Sequence, residues 1–362
     1  MNRKILIAST TKPVDDTRMT DKIAATLAEV HKYTIYVIGF PSKFKPVYSN
    51  INFFNIPKAE FSFGKRLKAL LYILRILIKV KPDIVIASNT ETLLVMKVYQ
   101  IIFGAYLVYD IRENYSLNKK VRNEGSGNHI LKLLSVSGKI ERSLINKADA
   151  LILAERIYSE QFDIPSHTPS LLFENKAIIK SESKNVQPPH FLLSGTLSTI
   201  HGTVDAVKWF LNSFSDNQVK LTIIGQYHDI AVLNELLSLT NNVENVDLFL
   251  SRFPISHWLI QEKLISSTHI ISPYHNLTAF EGKLPTKLFE AAANHKIIIS
   301  RKNASWNSYF KDAWLIETDF QTALEASQKN RILQFNGKEY NTARYLANRN
   351  ELKDFFTKLD MP

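Results

Sequence analysis

The chain has 362 residues, 45% hydrophobic and 22% charged, which excludes a disordered chain, and it has no cysteine, which excludes disulfides, thiolate catalysis and cysteine metal sites. Its formal net charge of +11 calls for an anionic partner. Nucleotides, anionic lipids and nucleic acid all carry that charge, but no nucleic-acid-binding motif is present and the basic residues are spread through amphipathic helices.

The opening run MNRKILIAST is too short and too quickly polar for a signal peptide. No segment reaches the ~18 apolar residues of a membrane span. The length suits two domains of ordinary size. Lys4 to Ala8 reads as the first strand, Ser9 to Thr17 as a polar loop, Arg18 to Val30 as a helix and Tyr33 to Phe40 as a second strand. That order is a βαβ unit, hence a parallel sheet, whose ligands sit at the carboxyl ends of its strands. Thr10, Thr11, Asp15, Asp16 and Arg18 fall there. Asp16 reads first as the cap of the next helix.

Residues 65 to 81 read as a helix with Lys68, Tyr72, Arg75 and Lys79 on one narrow face and an unusually wide apolar arc. Such a helix either wedges between a sheet and a neighbouring helix or lies on an anionic membrane surface. Asp83 to Ser88, Tyr106 to Asp110 and Ala150 to Ala154 read as further strands, with helices over about 91–103 and 130–147. The exit of the strand at Asp110 carries Arg112, Glu113, Asn114 and Tyr115. Glu113 is the acid or base candidate of this half, or a loop carboxylate paired with a neighbouring cation. The polar stretch 117–129, with Gly125 and Gly127, reads as a loop suited to a lid or an acceptor element.

A stretch rich in Pro, Ser and Lys, within 163–189, reads as the linker. This divides the chain into domains at 1–168 and 190–340, with the linker at 169–189 and a helical tail at 341–362. In the second domain Phe191 to Leu197, Lys220 to Gly225, Val246 to Leu250 and Ile270 to Pro273 read as strands, with helices at about 203–214, 230–239 and 258–266. The stretch 272–300, SPYHNLTAFEGKLPTKLFEAAANHKIIIS, then reads as strand end, loop, helix and strand. Pro285 suits the first turn and Asn294 the stop. The free N–H groups and dipole of such a helix favour an anion, and Lys283 and Lys287 add positive charge. Glu290 lies one turn after Lys287 on the same face, placed to bind the vicinal hydroxyls of a ribose. The alternative is an ordinary helix with Lys287 and Glu290 as a solvated ion pair.

The run Leu284-Pro285-Thr286-Lys287-Leu288-Phe289-Glu290 resembles the donor-site signature of GT-B glycosyltransferases, in particular family-4-like enzymes of the bacterial surface-polysaccharide type. The resemblance implies an α/β fold of two Rossmann-like domains facing each other across a cleft, with the last helix packing back on the first domain. It implies that Glu290 holds the donor ribose, and that Glu281, with Gly282 and Lys283, lies near the sugar and phosphates. Glu281 and Glu290 are one residue further apart than the family's pair. Tyr109 to Glu113 resembles the family's Tyr-Asp-x-x-Glu segment, with Arg112 where many members carry His. Asp16-Thr17-Arg18 resembles the start of the family's first helix, which with Asn114 and Tyr115 makes the acceptor side. The strand ending at Gly195 and its loop resemble the diphosphate-binding loop. Thr196 and His201 stand there roughly where members carry Arg and Lys, and His201 reads equally as a plain loop residue. Gly225 closes the next strand, and Arg252 and Phe253 fall where the family approaches the nucleobase.

The resemblance further implies a hexosyl-type transferase taking a UDP- or GDP-sugar, without metal or other cofactor, with retention at the anomeric carbon. Its acceptor would be a saccharide or lipid-linked saccharide, and its place the cytoplasm or the inner face of the membrane. A nucleotide-sugar epimerase or hydrolase, and a non-catalytic GT-B subunit bound to a partner transferase, are the alternative readings.

Overall fold

Short runs of branched aliphatic residues, each bounded by polar turns, build two all-parallel sheets. The computed structural model describes residues 2–42, 48–57, 63–114, 139–179, 189–214, 219–253, 255–275, 282–310, 315–334 and 343–359. Tyr115, Glu281, the stretch 117–129, residues 130–138 of the expected helix and residues 180–188 of the expected linker lie outside them. The chain divides into two compact units, Met1–Asn175 with Asn348–Pro362, and Lys176–Ala347.

The first unit holds seven strands in the order β3-β2-β1-β4-β5-β6-β7. They are β1 (Arg3–Pro13), β2 (Tyr33–Phe40), β3 (Ile51–Asn55), β4 (Ile84–Ala87), β5 (Tyr106–Ile111), β6 (Ala150–Leu153) and β7 (Ser170–Leu172). Ile5, Leu6, Ile7 and Ala8 of β1 are fully buried, as a central strand covered on both faces requires. After β1 the chain winds as a π-helix, Thr17–Ala24, and one α-turn, α1 (Ala25–Ala28). The crossover helices α2 (Phe63–Val80) and α3 (Thr90–Phe103) pack beside each other. Asn89 caps α3 in a capping box with Thr92, and left-handed Gly104 ends it. A short helix, α4 (Tyr158–Gln161), comes after β6. The sequence reading missed β3, and it placed β7 in the linker. Both are short edge elements whose polar residues hide the alternation a longer strand would show.

The second unit orders its strands β10-β9-β8-β11-β12-β13. They are β8 (His190–Leu197), β9 (Lys220–Tyr227), β10 (Val246–Ser251), β11 (His269–Ser272), β12 (Ile297–Ser300) and β13 (Leu315–Glu317). Its helices are α5 (Thr203–Ser213), α6 (Ile230–Thr240), α7 (His257–Ile265), α8 (Thr286–Ala293), α9 (Ala304–Phe310) and α10 (Ala326–Gln334). The last helix, α11 (Leu346–Leu359), buries Leu352 and Phe356. Within the first unit it is held by Lys353 Nζ on Glu29 (2.8 Å), by Arg349 on the same carboxylate, and by the Tyr33 hydroxyl on the Phe356 carbonyl (3.2 Å). Among the described residues no helix is long and apolar enough to cross a membrane.

The amino-end side of the second sheet carries a buried imidazole. His269 Nε2 lies 3.1 Å from the Ile332 carbonyl, and the ring stacks on Phe191 at 4.4 Å. Burial pushes its pKa down from 6.5 to about 4. Between those values the unfolded chain binds a proton that the native state does not. Stability is therefore expected to fall as pH drops from 6.5 towards 4, by up to about 3 kcal/mol from this group. Urea unfolding at pH 7 and 4.5 measures it, and His269→Gln, which keeps a donor for Ile332, should reduce the difference.

Candidate active site

The order of the second sheet reverses between β8 and β11, and the crevice at the carboxyl ends of such a strand pair is where open α/β sheets bind ligands. Three elements bring side chains to it. β8 carries Ser194 and Gly195 towards its carboxyl end, and the loop after it folds back through His201. The ring shares a 2.6 Å hydrogen bond with Ser198 Oγ. Gly202 then opens α5 with φ +66°, and a Cβ there would lie 2.2 Å from the Pro273 carbonyl oxygen, so only glycine lets this loop meet the end of β11. Gly225 on β9 is also fixed by packing, because a Cβ would lie 2.1 Å from the Gly195 oxygen. Thr196 is solvent-exposed beside it.

The third element is α8. Pro285 is its N-cap, one position earlier than expected, with φ −56° and ψ 136° and no side-chain cap. Its fixed φ suits that extended entry. Thr286 is exposed at the tip, where the first backbone N–H groups of a helix have no intrahelical acceptor. Leu284, Leu288 and Phe289 are buried and anchor the helix in the core. The Lys283 carbonyl accepts the Trp306 indole N–H at 2.7 Å, which fixes the segment entering α8, and Gly282 before it adopts φ +68°.

Lys287 and Glu290 do not form the ion pair that the spacing allows. Lys287 Nζ reaches the Ser194 carbonyl at 3.4 Å and lies 4.3 Å from the Tyr274 ring centroid. Its amine thus sits over the strand-order reversal. The residue keeps some contact with solvent, yet burial of its amine pulls the pKa from 10.5 down to about 7. Tyr274 packs edge-on to both His201 (5.0 Å) and Trp306 (5.7 Å), and burial raises its phenol to about 12. Glu290 is buried, with Oε1 3.4 Å from His257 Nε2 on α7. Asp205, in the first turn of α5, accepts from Arg301 Nη2 at 2.7 Å and faces His275 Nε2 at 3.5 Å.

Arg252 and Phe253, after β10, are exposed, Phe253 at 72%. Sequence reasoning did not single out Ser194, Tyr274, His257, Asp205, Arg301 or Trp306. A Tyr after a strand and a Trp on a short helix look like ordinary core residues, and backbone acceptors leave no mark in a sequence.

In the first unit the reversal falls between β1 and β4. There the Thr10 hydroxyl donates to Glu91 Oε2 (2.8 Å) and accepts from Asn89 Nδ2 (2.5 Å). Asp16 caps the π-helix through Met19 N–H (2.9 Å) and receives Arg112 Nη2 at 2.6 Å. Burial raises its pKa, but Arg112, Lys12 and the Met19 N–H outweigh that and leave it below the usual value.

Arg18, expected on the acceptor side, is an internal brace. It is 3% exposed, and its Nε and Nη2 bind Asp110 at 2.7–3.1 Å. Its Nη1 donates to the Phe173 carbonyl (2.6 Å) and Asn175 (3.0 Å). Asn114 is also buried and donates to Gln161 Oε1 at 3.0 Å. Glu113 is half-exposed, 3.9 Å from Lys12 Nζ.

Two units of parallel sheet with crossover helices give the chain the α/β architecture of GT-B proteins, built from two Rossmann-like domains. It is similar to sucrose-phosphate synthase from Thermosynechococcus elongatus, with a TM-score of 0.72 at 10% identity over 99% of each chain. It is also similar to HepE from Anabaena in complex with UDP and glucose (TM-score 0.65, 12% identity, 98% of this chain and 99% of that one). A candidate UDP-N-acetylglucosamine 2-epimerase from Listeria monocytogenes is a further match (TM-score 0.61, 13% identity, 100% and 99%). No protein-family profile and no curated protein sequence matches the chain.

Proposed function

We propose that the protein is a glycosyltransferase that moves a sugar from a nucleoside-diphosphate sugar to an acceptor hydroxyl. The observation that carries this reading is Lys287, held by Ser194 and Tyr274 over the strand-order reversal, with the tip of α8 beside it and Glu290 one turn on. A sugar nucleotide needs that set: positive charge and free N–H groups for the phosphates, and a carboxylate for the ribose hydroxyls. As the bond from the anomeric carbon to the diphosphate breaks, negative charge grows on the leaving oxygen. The Lys287 ammonium and the N–H groups of Thr286 and Lys287 stabilise it, and being fixed in advance they need no reorganisation.

Exposed Arg252 and Phe253 are assigned to the nucleobase, and Thr196 and His201 to the diphosphate loop. Glu113 and Glu281 are assigned to acid–base chemistry. UDP is the favoured carrier because HepE binds it. A hexosyl donor, retention, metal-independent transfer, a polysaccharide or lipid-linked acceptor and a place at the inner membrane surface complete the reading.

A thermal-shift series with UDP, GDP, ADP and CMP tests it. One of the nucleoside diphosphates is expected to raise the melting temperature. Glu290→Ala should remove most of the shift. No shift with any of the four at millimolar concentration would overturn the reading. Similarity to a candidate epimerase supports a second reading, nucleotide-sugar epimerisation or hydrolysis. Release of nucleoside diphosphate, or an altered sugar, with no acceptor present would favour it.

A further inference from the structure

We infer that the outer face of α2 and α3 docks the protein on an anionic membrane. This deepens the acceptor side of the proposed function, but it is read out by binding and not by transfer. A helix in a soluble protein buries its apolar stripe and shows water a polar one. α3 breaks that rule. Leu94, Val98, Ile101 and Ile102, at helical spacing, form its exposed side, with Ile101 73% and Ile102 64% exposed. The neighbouring α2 repeats the pattern: Ala69, Ile73, Ile76, Leu77 and Val80 are buried, while Leu67, Leu71 and Ile78 are exposed. Most of the large apolar side chains exposed on the described surface belong to these two helices. Scattered apolar residues need no explanation, but a ridge across two adjacent helices does.

Charge selects the occupant. α2 contains no Asp or Glu. At ~100° per residue its exposed leucines are flanked by a second stripe, Lys68, Arg75 and Lys79, with Tyr72 at its border. Those three cations have no carboxylate partner among the described residues. The Glu91 carboxylate on α3 is taken by Arg66 (2.9 Å) and Thr10 (2.8 Å). An apolar ridge bordered by unpaired cations and an interfacial tyrosine matches a bilayer surface bearing anionic lipid. A second copy would bring the same cations against themselves.

Co-sedimentation with vesicles of phosphatidylcholine alone, and of phosphatidylcholine with phosphatidylglycerol, tests the inference at low and high salt. Binding to the anionic vesicles is expected, weakened by salt. Lys68→Glu/Arg75→Glu/Lys79→Glu should lower the affinity by on the order of a hundredfold. Leu71→Ser/Ile101→Ser should weaken binding at both salt concentrations. All these positions are exposed, so both variants should keep the wild-type melting temperature and the nucleotide-induced shift, which separates failure here from failure of the donor site. No binding to anionic vesicles, or binding that neither variant changes, would overturn the inference. A wild-type dimer in sedimentation velocity that Leu71→Ser/Ile101→Ser dissolves would overturn it in favour of an interface between copies.

Discussion

Arg18→Met is expected to destabilise the first unit by about 3–5 kcal/mol, the cost of stranding one partner of a buried ion pair. The stranded group is Asp110, which has no solvent exposure. Its carboxylate receives both Nε and Nη2 of Arg18, and the remaining Nη1 holds the Phe173 carbonyl just after β7. One side chain thus ties the first helix to the ends of β5 and β7. Arg112 Nε, 3.9 Å from Asp110, supplies a weaker cation and moves the expectation to the lower end of the range. A whole domain is stable by ~5–15 kcal/mol, so even that end is a large fraction. Arg18→Lys should cost nearly as much, because an ammonium cannot reproduce the planar fork that serves Asp110 and Phe173 together. Adding Asp110→Asn to Arg18→Met removes the uncompensated charge and should recover part of the loss. Urea unfolding of wild type, Arg18→Met, Asp110→Asn and the double variant gives the cycle. A loss below about 1 kcal/mol for Arg18→Met would mean that water reaches Asp110, and the brace would be refuted.

Arg18 also marks where reading the sequence stopped short. The Asp-x-Arg pattern drew attention to the residue, but its partner lies in a different βα unit, and no local pattern joins them. Lys287 has the same history. Its spacing to Glu290 was legible, whereas its acceptor at Ser194 comes from the start of the same sheet. Apart from the edge strands β3 and β7, the strands of both sheets were legible because runs such as Tyr33–Phe40 are too apolar and too short for anything but a buried parallel strand. α3 was legible as a helix over about 91–103, but nothing in its sequence tells which side is covered, and here the side of Leu94, Val98, Ile101 and Ile102 faces solvent. Tertiary packing, absent from any window of sequence, decided each of these cases.

Affinity for a nucleoside diphosphate is expected to fall about tenfold per pH unit between pH 7 and 9. In the free protein burial pulls Lys287 from 10.5 to about 7, so above neutrality the amine is mostly uncharged. A diphosphate beside it favours the ammonium. Binding in this range must therefore take up a proton, and linkage converts that uptake into the stated slope. The ligand does not cancel it, because a phosphate ester has completed its second ionisation, pKa about 6, before this range begins. Tyr274, at about 12, does not titrate there either. Without ligand the same amine makes the native state bind fewer protons than the unfolded chain. The ligand-free second unit should accordingly lose stability as pH falls from 10.5 through 7, and ligand should restore it. Titration calorimetry in two buffers of different ionisation enthalpy counts the proton directly. Lys287→Met should bind weakly with a flat profile, whereas Glu290→Gln should bind weakly but keep the slope, since in the proposed site Glu290 is assigned to the ribose and not to the phosphates. A wild-type affinity unchanged from pH 7 to 9 would remove Lys287 from the phosphate site and leave the anion to the α8 backbone and Lys283.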